Sequence, residues 1–198
     1  MAVVRLLGKA KKVKPTSKRI KLDLMAYLRY TRRYFFVASE VHIMSGIADV
    51  FAMKGGLFHE FEIKRTKADL KNDIKKKSGG RWSKHTKHVA YAKGLKGIYF
   101  CPHYFYFVVP ENLVEDAVEF SKEHCNGNYG VVQWNPSSFN RRIIKPHMYI
   151  VKRPRKLLHT RHKQHKRIRK RLIMRMSSEI ITLRMEAHKH EVRGTKKK

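Results

Sequence analysis

An α/β fold, with helices laid on a mixed central sheet, is predicted by three features of this sequence. Apolar runs and helical patterns follow one another in the order α-β-β-β-α-α-β-α-β, which is how layered α/β architectures read. Two of the runs are joined by Lys54-Gly55-Gly56-Leu57, and a pair of glycines there signals a two-residue hairpin. Hydrophobic residues make up 42% of the 198, enough for one core of ordinary size. That share excludes a wholly disordered chain despite a formal net charge of +31. No stretch approaches 18 uncharged apolar residues, so no membrane helix is expected. The N-terminal apolar run is far too short for a secretion signal. Two cysteines, Cys101 and Cys125, are too few for a disulfide scaffold. The expected setting is cytoplasmic or nucleic-acid-associated, a virion included, and not secreted.

Taken in order, residues 1–15 read as a basic arm. Thr16 or Ser17 can cap a helix of about 17–33, with Ile20, Leu24, Tyr27 and Leu28 at helical spacing. Three strand-like runs follow, at Phe35–His42, Gly46–Met53 and Leu57–Lys64. Thr66, with Asp69 three residues on, resembles a capping box and opens a helix to about Lys77. Ser78-Gly79-Gly80 breaks it, and a second helical stretch covers about Lys84–Lys93. Ile98–Cys101 and Tyr104–Val109 read as one interrupted central strand. Pro110-Glu111 opens a helix to about His124, and Asn126-Gly127-Asn128 is a turn. Tyr129–Trp134 and His147–Val151 are the last strands. Beyond Pro154 no proline follows and no glycine appears before Gly194. Ile168, Leu172, Met176, Ile180 and Leu183 then form one apolar stripe on a helix of about 35 residues, roughly 50 Å long.

The charge is uneven. Residues 1–34 hold 11 basic and 1 acidic side chains, residues 35–151 hold 17 and 11, and residues 152–198 hold 18 and 3. Most of the excess therefore lies in two flanks around a core with ordinary charge. Basic flanks suit a polyanion, and nucleic acid leads because each neutralised phosphate releases counterions. No membrane partner is expected, because the tail has few aromatic anchors. In the tail, Arg161, Lys166, Arg167, Arg169, Lys170 and Arg171 are the candidate phosphate contacts. Its apolar stripe is a candidate dock for a protein partner.

The hairpin carries the chemistry. With Lys54 facing Leu57, the register places Asp49 opposite Glu62 on adjacent strands. Directly opposed Cβ atoms lie about 4.5–5.5 Å apart. Lys64, two residues beyond Glu62, shares its face, while Phe61 and Ile63 point the other way. Two carboxylates and a lysine in one spot are what a metal-dependent phosphodiesterase needs. Carboxylates bind a hard Mg²⁺ (or Mn²⁺) ion, and the lysine steadies the attacking water or the developing charge. The bland alternative is a surface salt bridge, worth little. Cys101-x-His103 and His124-Cys125 lack the spacing of a structural zinc site.

The pattern of Asp49, twelve intervening residues and Glu62-Ile63-Lys64 resembles the D…ExK signature of the PD-(D/E)XK nuclease superfamily. Ala48 stands where the family name has proline. Glu62 to Asp69, then Asp73, and later Tyr104 to Pro110, are similar to the MmcB-like branch, associated with DNA repair. The resemblance spans roughly residues 20–135. It implies a restriction-endonuclease-like core over residues 16–151, between the basic arm and a basic helical tail of 152–198. It implies Asp49 and Glu62 as metal ligands, Lys64 as the catalytic lysine, Glu40 as a completing acid and Ile63 as a carbonyl ligand. Lys84, Lys87 and Tyr91 would line the substrate groove. Asp69 and Asp73 are read as helix-capping and dipole-compensating groups.

Two functions follow. The first is a metal-dependent nuclease acting on DNA in repair, recombination or processing. The second is a non-catalytic basic protein that binds or packages nucleic acid, ribosome-like or virion-associated. Neither DNA nor RNA is selected by the sequence.

Overall fold

The computed structural model describes residues 16–43, 46–75, 83–94, 101–135, 147–157 and 165–195. The helices are α1 (Ser17–Ala26), α2 (Lys67–Lys75), α3 (Lys84–Ala92), α4 (Val114–Cys125) and α5 (His165–Thr195). The strands are β1 (Phe36–Ile43), β2 (Gly46–Lys54), β3 (Leu57–Ile63), β4 (Tyr104–Pro110), β5 (Gly130–Asn135) and β6 (His147–Lys152). They form one sheet in chain order. β1, β2 and β3 run antiparallel, β3, β4 and β5 run parallel, and β6 returns antiparallel. The molecule is therefore α/β, with a mixed sheet flanked by helices. The parallel steps need crossovers, and the helices α2, α3 and α4 lie in those two connections.

Local chemistry explains most boundaries. Thr16 Oγ1 accepts the amide of Arg19 and caps α1. Gly55 and Gly56 take φ of 57° and 77°, as a primed hairpin turn requires. The register that results runs from Lys54↔Leu57 to Val50↔Phe61. Thr66 Oγ1 accepts the amide of Asp69, and Ser83 Oγ accepts that of Thr86, so α2 and α3 are both capped. Asn126 and Gly127 end α4 with φ of 49° and 68°.

Two sheet faces and one sheet edge are covered. On one face Ile20, Leu24 and Leu28 pack against Val50, Phe61, Ile63 and Val108. On the other, Leu70, Leu113, Ala117 and Phe120 pack against Phe105, Phe107 and Val131. At the β1–β2 end, Ile168 and Leu172 of α5 are fully buried with Ala38, Val41, Phe51 and Phe58.

Three features differ from expectation. The first helix gives way at Tyr27 to a π-helical turn over Tyr27–Thr31. Arg33, at φ 56°, then swings the chain into β1. Cys101 lies outside β4, because Pro102 has no amide to donate to a ladder. His103 instead ties this link to β3, taking the amide of Phe58 at 3.0 Å on Nδ1. Packing also does not stop at residue 151. Lys152 Nζ donates to the carbonyls of Gly127 and Tyr129, and the Leu157 amide to that of His103. Leu157 is fully buried.

The apolar stripe of α5 splits for a geometric reason. The helix has 31 residues, about 46 Å at 1.5 Å each. β1 has 8 residues, roughly 26 Å. Ile168 and Leu172 therefore dock, Met176 half docks, and Ile180 and Leu183 are 53% and 61% exposed. Among the described residues, no helix is long and apolar enough to cross a membrane. The basic arm, residues 1–15, lies outside the described residues, as do Ser78-Gly79-Gly80 and Ile98.

Candidate active site

Three adjacent strands bring three carboxylates into one row. The pairs Ser39↔Val50 and Val41↔Ala48 bracket Glu40 and Asp49 as opposite positions. The β2–β3 ladder ends at Val50↔Phe61, which leaves Asp49 next to Glu62. Beyond that pair Asp49 Oδ2 accepts the amide of Ile63 at 2.8 Å. A side chain thus takes the place of a backbone acceptor where the strands part. Glu40 sits at φ 51°, inside a strand. A non-glycine residue there carries a strain of about 1–2 kcal/mol, with the β1–β2 register unbroken on either side of it.

Lysines from three elements reach this row. Lys21 of α1 contacts Glu40 Oε1 and lies 3.6 Å from Asp49 Oδ1. Lys64 Nζ is 3.3 Å from Glu62 Oε1 and 2.5 Å from Asp73 Oδ1. Lys84 Nζ is 3.2 Å from Glu62 Oε2 and 2.8 Å from Glu60 Oε1. The alternation of β3 explains this. Phe61 and Ile63 enter the α1-side core, so Glu60, Glu62 and Lys64 share the opposite face.

A buried relay extends from Lys64. His85 Nε2 donates to Asp73 Oδ2 at 2.8 Å. The Tyr129 hydroxyl joins His85 Nδ1 at 2.8 Å and His88 Nδ1 at 2.6 Å. Tyr129 has one proton. A consistent assignment donates it to His85, while the Nδ1–H of His88 donates to the Tyr129 oxygen. His88 Nε2 is then a bare acceptor, and it has no partner among the described residues.

Electrostatics follow the geometry. Burial and the charge of Glu62 raise the Asp49 carboxyl above its ordinary range, against the Ile63 amide and Lys21. Burial raises Glu60 too, although Lys84 opposes it. Burial would lower Lys84, but Glu60 and Glu62 outweigh it and raise its pKa. Burial would raise Asp73, yet His85 and Lys64 hold it well below the usual carboxylate range. Burial depresses His88 far below an ordinary histidine.

The structure brings together Glu40, Asp49, Glu62, Lys64 and Lys84. Ile63 presents its amide to Asp49, and its side chain is in the core. Lys84 turns to the acids. Lys87 and Tyr91, expected on a substrate groove, are only 3% and 4% exposed. Lys166, Arg167, Arg169 and Lys170 are exposed on α5. Arg171 is half-buried, with NH1 3.4 Å from the His42 carbonyl. Arg161 lies outside the described residues. Cys101 and Cys125 are free and fully buried in the apolar core.

Lys21, Glu60, Asp73 and His85 were not singled out by sequence reasoning as site residues. Glu60 had a signal, since Glu60-x-Glu62-x-Lys64 places all three on one face. Asp73 is expected from its place in α2 to compensate a helix dipole. It is instead 6% exposed and clamps Lys64. Asp69 remains at the start of α2, with its amide capped by Thr66.

Among the described residues, no three or more His, Cys, Asp and Glu side chains already converge on one point to hold a metal. The donor set nonetheless fits a hard divalent cation. It consists of carboxylate oxygens, and the Lys21 ammonium stands between two of them as a cation would. The five carboxylates Glu40, Asp49, Glu60, Glu62 and Asp73 against the three ammonium groups leave a formal charge of −2 when all are ionised. Comparison of the chain with family models, with curated proteins and with solved structures gives no match.

Proposed function

We propose that the protein is a divalent-metal-dependent nuclease that hydrolyses DNA phosphodiester bonds, with a restriction-endonuclease-like core of the MmcB-like, PD-(D/E)XK type. One observation carries this reading. Asp49 and Glu62 adjoin across the β2–β3 hairpin, Lys64 touches Glu62, and Glu40 extends the row. Asp49, Glu62 and Glu40, with the Ile63 carbonyl, would hold Mg²⁺ or Mn²⁺. Such an ion supplies Lewis-acid neutralisation of the scissile phosphate and a hydroxide-like water at neutral pH.

The side chains do the rest. Lys64 has no freedom to wander, because Glu62 and Asp73 fix its ammonium from two sides. A charge held in place needs no reorganisation as negative charge grows on the phosphorane. Glu60, through Lys84, orients the second oxygen of Glu62. The exposed cations of α5 would hold flanking phosphates without reading bases. That disposition suits DNA repair, recombination or processing.

A second reading keeps the fold as a non-catalytic nucleic-acid-binding scaffold. It is favoured by the lysine partner already present at each of Glu40, Asp49 and Glu62. Incubating purified protein with supercoiled plasmid and with single-stranded DNA separates the two. The nuclease reading expects Mg²⁺- or Mn²⁺-dependent nicking that Asp49→Asn abolishes. Binding without cleavage under any divalent ion selects the scaffold.

A further inference from the structure

We propose that Lys21 is a resident counter-cation of the carboxylate row, one that a divalent ion must displace and that thereby sets the metal affinity of the site. This rests on the metal-binding reading of Glu40, Asp49 and Glu62 above. The observation is positional. Among the described residues, Lys21 bridges two of the three row members, touching Glu40 Oε1 and standing 3.6 Å from Asp49 Oδ1. It comes from α1, whereas the acids belong to the sheet. The contact is therefore tertiary and not a consequence of strand alternation.

Its neighbours explain why a cation belongs there. Glu40, Asp49 and Glu62 occupy neighbouring positions on three adjacent strands, so the row repels itself when ionised. The β1–β2 register sets Glu40 opposite Asp49, which keeps that acid beside its partner. An ammonium relieves the repulsion while no metal is bound. Lys21 differs in kind from Lys64 and Lys84. Lys64 is locked by Asp73 and is 2% exposed. Lys84 is held by the fully buried Glu60. Among the described residues Lys21 pairs with the row alone; its side chain is 15% exposed and that of Glu40 48%, and a four-carbon stem can swing the head group into water. A divalent ion offers the carboxylates twice the charge at shorter range, so it wins the exchange, but at an affinity lowered by the competing ammonium.

The test measures binding of Mn²⁺ alone to the full-length protein, by calorimetry and by the electron paramagnetic resonance of free Mn²⁺. Four variants are compared with wild type: Lys21→Met, Lys21→Gln, Lys18→Met and Asp49→Asn. Lys18 lies on the same helix and is exposed, so its variant removes equal charge outside the row. The expected result is an affinity about tenfold tighter in both Lys21 variants, within the usual range of coupling between two sites, with Lys18→Met close to wild type. Mn²⁺ binding that appears only in the Lys21 variants also supports the proposal. Affinities equal to that of Lys18→Met, or weaker, overturn it, because Lys21 would then be neutral or an organiser of the acids. Should no variant take up Mn²⁺ in a manner that Asp49→Asn removes, the metal-site reading itself fails, and this inference with it. Thermal melts of each variant exclude misfolding as the cause.

Discussion

Lys64 and Asp73 define the site at the scale of single residues. A lysine 2% exposed would be costly unpaired, and Asp73 and Glu62 are its partners. On the proposed function, a lysine fixed in this way would act on the transition state more than on binding. Lys64→Ala should lower kcat by about 10²–10³ at saturating DNA with KM little changed. Weaker binding at normal turnover would reassign it to phosphate contact. Asp73→Asn breaks a buried pair and should destabilise the fold by about 3 kcal/mol at neutral pH. Because the folded Asp73 carboxyl is depressed, its contribution is complete above the unfolded pKa of about 3.9. It fades as pH falls below that value towards the lower folded one. Urea titrations of wild type and variant should therefore converge on acidification below pH of about 4. A gap that is constant down to the lowest pH at which both fold would contradict the Lys64–Asp73 assignment.

At the scale of elements, the hairpin was legible and the relay was not. Two glycines at Gly55 and Gly56 fix the turn, the turn fixes the register, and the register alone places Asp49 beside Glu62. Those steps are local, so sequence carries them. Lys21, Asp73 and His85 reach the site from helices packed on opposite sides of the sheet. Nothing local says which helical face turns inward when both faces are charged. Lys87 shows the same limit, since a lysine expected on a substrate groove is buried. The stripe of α5 was legible as a stripe, but where the sheet stops beneath it was not. Close packing between strands is also invisible in sequence. A Cβ on Gly130 would fall 2.6 Å from Tyr106 Cδ1 and 3.0 Å from the Lys152 carbonyl. Gly130→Ala should therefore destabilise by about 1–3 kcal/mol, as overpacking does. An unchanged urea midpoint would show that β5 does not approach Tyr106 so closely.

The whole molecule joins an acid cluster, formally −2 when every group is ionised, to a chain of net charge +31. On the proposed function, the cations that would hold DNA need not be those that would take part in cutting it. α5 serves both ends. Its buried Ile168 and Leu172 close the β1 edge, while Arg175 and Glu179 grip Ser39, next to Glu40. An open groove of about 480 Å³ lies there, lined by Glu40, Arg171, Met174, Arg175 and Ser178. Removing residues 152–198 would strip Leu157, Ile168 and Leu172 from the core, so truncation should destabilise the protein. Replacing Lys166, Arg167, Arg169 and Lys170 with glutamine spares that packing. On duplex DNA this should flatten the slope of log K against log salt by up to about 3–4 units, at about 0.9 per phosphate contact. An unchanged slope would remove α5 from the DNA interface. On the proposed function the acid row would cut DNA and the basic surface would bind it. Its most direct test is the single-turnover cleavage rate of Glu62→Gln in Mg²⁺, with DNA affinity measured on the same preparation. Cleavage should be lost, with affinity within a few-fold of wild type. Cleavage at the wild-type rate by Glu62→Gln, freed of contaminating nuclease, would contradict it.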